Sequence, residues 1–249
     1  MKTMLPFILR ENMVKLLYAI VGSQHLSPMI ERLKTILDRN ILMGIFSELG
    51  IEYVVDVGAN EGQYAATLRR LGYRGMIFSF EPNRDVFYLM EKRFAKDSKW
   101  RGFNYAIGSS EGELHLNVYE ESSISSFLRG NEKIQNASRI NRVEKVPVRR
   151  LDAVLPSLIP ELGRKRIFLK SDTQGFDVEV VRGAEGIMKS IYGLQSEISV
   201  QPIYHEMPKY LESLSYYEGL GFVLMDLWLV TRTTRGEVME YDCVMKRTE

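Results

Sequence analysis

The stretch that most limits what this chain can fold into runs from Tyr53 to Leu71, Y-V-V-D-V-G-A-N-E-G-Q-Y-A-A-T-L-R-R-L. Tyr53, Val54, Val55 and Val57 form a β-branched and aromatic run too short for a helix, which suits a strand covered on both faces in a parallel sheet. Gly58 and Gly62 bracket the turn that follows. Without a Cβ they allow positive φ and close approach to the backbone, and the free N–H groups at the start of the next helix favour negative charge. Ala65, Ala66 and Leu68 continue in helical spacing, and Gly72 is a C′ stop. Strand, glycine turn and helix in this order make a nucleotide-binding corner.

The glycine pattern, Asp56-x-Gly58-x-x-x-Gly62, departs from the Gly-x-Gly-x-x-Gly fingerprint that wraps a pyrophosphate. A second strand, Met76 to Phe80, delivers Glu81 to the same sheet edge, where a carboxylate can accept both hydroxyls of a ribose. The corner and Glu81 together resemble the class I fold of S-adenosylmethionine-dependent methyltransferases. The resemblance implies an α/β, Rossmann-like, mostly parallel doubly wound sheet closed by a C-terminal antiparallel hairpin. It makes S-adenosylmethionine the expected cofactor.

The chain's 249 residues suffice for one α/β domain with a small appendage. The expected division is a helical cap over residues 1–49 and a methyltransferase domain over 50–249. With 45% hydrophobic and 26% charged residues, the composition is that of an ordinary globular protein. A net charge of +1 gives no global attraction to nucleic acid or anionic lipid, so neither is expected as a partner. Cys243 is the single cysteine, which excludes an intrachain disulfide and a cysteine-based zinc site and fits the cytoplasm. Near the amino terminus Arg10, Glu11 and Lys15 interrupt the apolar residues, so an amphipathic helix is expected and an integral membrane segment is not.

Beyond the corner, the residues from Pro82 to Phe94 read as a helix and those from Trp100 to Ile107 as a third strand. Its end, Asn104 to Gly108, is expected to flank an adenine. Leu114, Leu116 and Val118 alternate as a short half-exposed strand. Four serines around Ile124 open a polar segment running to about Lys145, which reads as a lid or a solvated loop. Leu151 to Leu158 starts a helix.

From Arg166 to Glu185 an apolar strand, Ile167 to Leu169, carries Lys170 and Asp172 to its C-terminal end, and a helix follows. Here the resemblance narrows to the FkbM family of methyltransferases. The matching motifs are Val55-Asp56-Val57-Gly58-Ala59-Asn60-x-Gly62, the pair Glu81-Pro82, Leu169-Lys170-x-Asp172-Thr173-Gln174-Gly175, and the helix end Gly183-Ala184. Ser171 stands where the family is usually apolar, and Asp177 where glutamate is commoner. A loop resembling the family's Pro-x-Tyr, Pro202 to Tyr204, and a hairpin of Phe222 to Val230 with Val238 to Lys246 complete the likeness.

The resemblance and the sheet edge together give a cofactor set of Asp56, Gly58, Asn60, Gly62, Glu81, Pro82, Asn104, Ala106 and Asp172. Transfer to a hydroxyl also needs a proton acceptor: Asp172 or His205, with Lys170 orienting the acceptor. Asp172 has a structural alternative as an N-cap, and Lys170 one as a snorkelling surface residue. No metal is assigned, although Asp172, Asp177 and Glu197 are oxygen donors of the kind magnesium takes. The expected function is O-methylation of a sugar, glycan or natural product. Its rivals are an NAD-dependent oxidoreductase and a non-catalytic cofactor-binding scaffold. The amino-terminal apolar faces suggest a homodimer.

Overall fold

The computed structural model describes residue 38 and residues 40–248. The expected cap therefore falls largely outside the described residues, as does any dimer contact it would make. Clustering of backbone contacts sets off a unit beginning at Met43, and that unit is described below.

It opens with the end of a helix over residues 40–49 (α1). The elements that follow are β1 Tyr53–Val57, α2 Gln63–Arg70, β2 Met76–Phe80, α3 Arg84–Phe94, β3 Trp100–Phe103, β4 Ala106–Ile107, β5 Gly112–Tyr119, α4 Glu132–Ala137 and β6 Ile140–Arg149. Then come α5 Leu151–Leu158, β7 Ile167–Ser171, α6 Asp177–Arg182, β8 Ile191–Ser199, α7 Tyr210–Gly219, β9 Phe222–Arg232 and β10 Val238–Arg247. Seven strands form one sheet in the order β3-β2-β1-β7-β8-β10-β9. The first five run parallel, and β10 runs antiparallel to both β8 and β9. The expected doubly wound sheet with its closing hairpin is thus the observed architecture.

Burial on both faces explains why the central strands read as apolar runs. Val55, Val57, Phe78, Phe80, Leu169, Leu194 and Met245 point to one face, where Leu151 and Leu155 of α5, Val180 and Val181 of α6 and Tyr217 of α7 complete the main core. Each fully buried side chain of this size stabilises the fold by about 1.5–3 kcal/mol. The opposite face takes Phe46 of α1 against Phe168, with ring centroids 4.7 Å apart, and Tyr64 of α2 over Lys170.

Two sequence expectations are corrected. The residues from Trp100 to Ile107 are not one strand: β3 stays in the large sheet, while β4 crosses to a separate three-stranded sheet ordered β4-β6-β5. The polar segment up to Lys145 is not one long loop either. It contains α4 and the first half of β6, which pairs antiparallel with β5 from Tyr119↔Ile140 to Gly112↔Val148. Charged residues masked this strand: Lys145 lies on its solvent face, while Arg142 and Glu144, half-buried on the same face as Val146 and Val148, pair with each other beyond the end of the small core. Among the described residues no helix is long and apolar enough to cross a membrane.

Candidate functional site

Three loops meet at the C-terminal edge of the parallel strands, after β1, β2 and β7. Gly58 has φ +71°, and a Cβ placed there would lie 1.9 Å from the carbonyl oxygen of Asp172. Glycine is therefore the residue that lets the first and third loops touch. The Asp172 N–H donates to the Val57 carbonyl at 3.1 Å, and the N–H groups of Gly58 and Ala59 both donate to the Phe80 carbonyl. Gly62, at φ +76°, is the N-cap of α2 and provides no side-chain cap; the first turn carries no acidic residue. The positive end of that helix thus opens toward the crevice without a resident anion.

Strand register places a polar row across one face of the sheet: Ser79 beside Asp56, Asp56 beside Lys170, and Lys170 beside Gln195. Asp56 is fully buried. The Lys170 ammonium sits 3.3 Å from Asp56 Oδ1 and 3.5 Å from Asp172 Oδ2, and donates to the Gly58 carbonyl at 3.4 Å. Burial works against the charge on Lys170. The carboxylates of Asp56, Asp172 and Asp242 outweigh it, so the ammonium is held charged, above the usual lysine range. Burial also pushes Asp56 up, and Lys170 opposes that push. A solvated, snorkelling role for Lys170 is excluded by its burial. The row extends outward through Trp100 Nε1, which donates to Ser79 Oγ at 3.0 Å, and through Tyr64, whose hydroxyl donates to Gln195 Oε1 at 3.1 Å.

Glu81 closes the other side. Its Oε2 accepts from the Asn60 N–H at 2.9 Å and its Oε1 from the Asn83 N–H at 2.8 Å. Burial raises its pKa to about 7 against the pull of those two hydrogen bonds. Each oxygen keeps lone-pair capacity for a further donor. Asn104 Nδ2 donates to the carbonyls of Glu81 and Pro82 at 2.9 and 3.0 Å, so its side chain braces this loop. The Ala106 side chain packs in the core of the small sheet with Leu116, Val118, Val146 and Val148, and takes no place in the crevice.

After β7 the alternative of Asp172 as an N-cap is not what the structure shows: Phe176 is the N-cap of α6, without a side-chain cap, and it is Asp177 that gathers the amides of the preceding turn. Asp177 accepts from Ser171 Oγ at 2.7 Å and from the N–H groups of Thr173 and Gly175 at 3.0 and 3.3 Å. The Asp172 carboxylate is therefore free of backbone amides. Its side chain is 39% exposed, and its partners are Lys170 and Gln174 Nε2, the latter at 3.1 Å. Gln174, at φ +53°, also donates to Glu197 Oε2 at 3.1 Å and accepts from the Tyr204 hydroxyl at 3.1 Å. The serine-rich segment latches onto this hub. Ser126 Oγ donates to the Gln174 carbonyl at 2.7 Å, the Tyr204 hydroxyl lies 2.7 Å from the Ile124 carbonyl, and Ser122 Oγ reaches Asn60 Oδ1 at 3.5 Å.

His205 is not brought into this cluster. It is exposed, and its N–H donates to the Arg129 carbonyl, while the preceding Tyr204 turns inward. Sequence reasoning missed Ser79, Gln195 and Gln174. For Ser79 and Gln195 the available signal was a polar side chain inside the apolar runs of β2 and β8, two residues from Glu81 and Glu197; Gln174 stood in the Leu169 to Gly175 motif without a role. Among the described residues no group of three histidine, cysteine, aspartate or glutamate side chains is placed to hold a metal ion.

Residues 56–224 match the family model described as the methyltransferase FkbM domain. Among solved structures, similarity is found to an rRNA methylase from Streptococcus thermophilus, at 12% identity and a TM-score of 0.46, over 84% of this chain and 95% of that one. Another is magnesium protoporphyrin IX methyltransferase (ChlM) from Synechocystis PCC 6803 with bound SAM, at 8% identity and a TM-score of 0.47, over 86% and 79%. No curated protein matches the sequence.

Proposed function

Because the chain belongs to the FkbM methyltransferase family and is thus an S-adenosylmethionine-dependent methyltransferase, we propose that it methylates a hydroxyl of a sugar, glycan or natural product. The observation that carries this reading is the partly exposed Asp172 carboxylate, set beside a buried ammonium at the glycine corner.

The residues present suit the cofactor. The open N-terminus of α2 matches the carboxylate of its methionine end, and Glu81, with spare acceptor capacity, matches its ribose hydroxyls. Asn60 and Asn104 hold Glu81 in place rather than competing for ligand. The cofactor supplies a methyl on a positively charged sulfur, and that charge disappears as the bond to the acceptor oxygen forms.

Asp172 takes the proton of the acceptor hydroxyl as the oxygen–methyl bond forms and the sulfur–methyl bond breaks. Lys170, held charged by Asp56, orients the same oxygen without giving up its own proton. Fixing the geometry of two reactants contributes on the order of 7–11 kcal/mol, so alignment by Gln174 and Lys170 matters as much as proton transfer. Tyr204 and the serine-rich segment exclude water from above.

The test is release of S-adenosylhomocysteine with a panel of hydroxylated acceptors. Asp172→Asn should lower kcat by about 10²–10⁴-fold with cofactor affinity kept. Glu81→Ala should weaken cofactor binding about tenfold, or ~1.4 kcal/mol, in calorimetric titration. A full rate in Asp172→Asn would remove it as the base, and unchanged binding in Glu81→Ala would remove the ribose contact.

A further inference from the structure

One and two strands beyond Lys170, the same face of the sheet carries a block of four polar residues. Register sets Glu197 of β8 opposite Asp242 of β10, and Ser199 opposite Glu240. Cross-strand partners share a face, as do residues two apart along a strand. The block therefore points the same way as Lys170 and Gln195, and lies about 5–10 Å further along the sheet at ordinary strand spacing.

Its charges are not balanced from within. Glu197 is bonded to Gln174 and Asp242 to Gln195, both neutral amides. Among the described residues no lysine, arginine or histidine pairs with Glu197, Glu240 or Asp242. Lys170, the nearby ammonium, is already shared between Asp56 and Asp172. An observation independent of the carboxylates points the same way. Ser199 is fully buried, and its hydroxyl has no hydrogen-bond partner, directly across from Glu240, whose Oε1 is likewise buried and without a donor. Buried acceptors of this kind are costly unless something donates to them.

We propose that this block receives a protonated amine of the acceptor, so that the hydroxyl methylated belongs to an amino sugar, an aminocyclitol or a similar hydroxyamine. An ammonium brings three donors and one positive charge. That matches one carboxylate and a hydroxyl without a hydrogen-bond partner, and a cluster that lacks a cation. Burial, together with repulsion from Asp172, holds Glu240 and Asp242 up at about 7, for Asp242 against the pull of the Lys170 ammonium, in keeping with a shortage of positive charge. The placement also agrees with the proposed chemistry, on whose hydroxyl acceptor it rests. The block lies past Asp172 from the glycine corner, on the side away from Glu81.

The experiment uses the protein loaded with S-adenosylhomocysteine and matched ligands: glucosamine, galactosamine and 2-deoxystreptamine against their N-acetylated forms. Calorimetry should give at least tenfold tighter binding of the free amines. Glu240→Gln and Asp242→Asn should each erase most of that preference while cofactor affinity stays within threefold. Removing one of several crowded carboxylates relieves repulsion, so both variants should fold, and a melting curve verifies this. Equal binding of amine and N-acetyl forms, no binding of any amine, or a preference untouched in both variants would overturn the assignment. So would loss of cofactor affinity in the variants, which would give the block to the donor instead. The two readings separate in the products. Amine-selective binding without methylation of any hydroxyl would sink the hydroxyl reading and leave the amine site standing, whereas methylation of neutral sugars without amine preference would do the reverse; a methyl found on nitrogen would overturn both, since an ammonium held in the block has no lone pair to accept it.

Discussion

Lys170→Met removes one charge from a buried cluster and leaves Asp56 behind. Asp56 is fully buried, and its remaining polar partner is Ser79, whose hydroxyl donates at 3.4 Å. Breaking a buried ion pair by deleting one partner costs about 3–5 kcal/mol, because the other charge is left uncompensated. A domain of this size loses about 2–4 °C of Tm per kcal/mol, so the expected drop is about 6–20 °C. The double variant Asp56→Asn, Lys170→Met removes both charges and should regain about 2–3 kcal/mol of that loss. The effect also has a pH signature. Burial already raises the folded pKa of Asp56, and Lys170, which opposes this, is gone in the variant. A carboxyl whose folded pKa is raised lowers stability where the unfolded carboxyl is ionised, above about 3.9. The gap between variant and wild type should therefore narrow toward pH 5 and widen toward pH 8. In the wild type Lys170 itself contributes stability below its unfolded pKa of about 10.4, so its own titration does not intrude in this range. Thermal unfolding followed by circular dichroism at pH 5 and 8, on the two single variants and the double, decides the matter. A Tm within 2 °C of wild type, or a double variant no more stable than Lys170→Met, would refute a buried ion pair as the organising contact.

Gly58→Ala should unfold the protein at a far lower temperature than Gly44→Ala. The first forces a Cβ to 1.9 Å from the Asp172 carbonyl oxygen at φ +71°, whereas the second meets nothing within 4 Å inside a helix and should add about 0.5–1 kcal/mol of stability. Gln174→Ala deletes the bridge between Asp172, Glu197 and Tyr204, and should increase cleavage between residues 121 and 130 by a limiting protease; unchanged cleavage would mean that the contacts of Ser122, Ile124 and Ser126 hold the latch without the Gln174 side chain. Glu81, Glu240 and Asp242 each have folded pKa values raised to about 7 by burial, so the folded state holds protons that the unfolded chain has released between about pH 4.5 and 7. Stability should accordingly fall as pH rises through that window, and Glu240→Gln combined with Asp242→Asn should flatten the decline in a series of melting curves.

The sheet was largely legible because its strands are short, β-branched and punctuated by glycines that only certain turns require. Gly58 is the plainest case, since its position announced a backbone contact before the partner, Asp172, was known. What escaped reading depended on partners distant in sequence. Nothing in the residues after Trp100 reveals that the chain leaves the sheet at Asn104, because the carbonyls that Asn104 satisfies belong to Glu81 and Pro82. Asp172 and Asp177 are both acidic residues near a helix start, and only the directions of the Thr173 and Gly175 amides show that Asp177 holds the turn while Asp172 stays open. The inward residue of the loop after β8 proved to be Tyr204 and not His205, a difference of one position that reverses which side chain meets the crevice. Asp56 was expected beside the cofactor, and its burial gives it Lys170 to hold instead.

The small sheet of β4, β5 and β6 has its own core, and its turn-side segment reaches the crevice through Ser122, Ile124 and Ser126. Its foundation and its fingertip are thus separable. An engineer seeking to admit a different occupant can rewrite the exposed Glu121 and Ser123 while leaving the three anchoring positions, Phe127 in the small core and the seven-stranded sheet alone. The insert behaves as an interchangeable doorway, through which the range of guests can be altered without rebuilding the room.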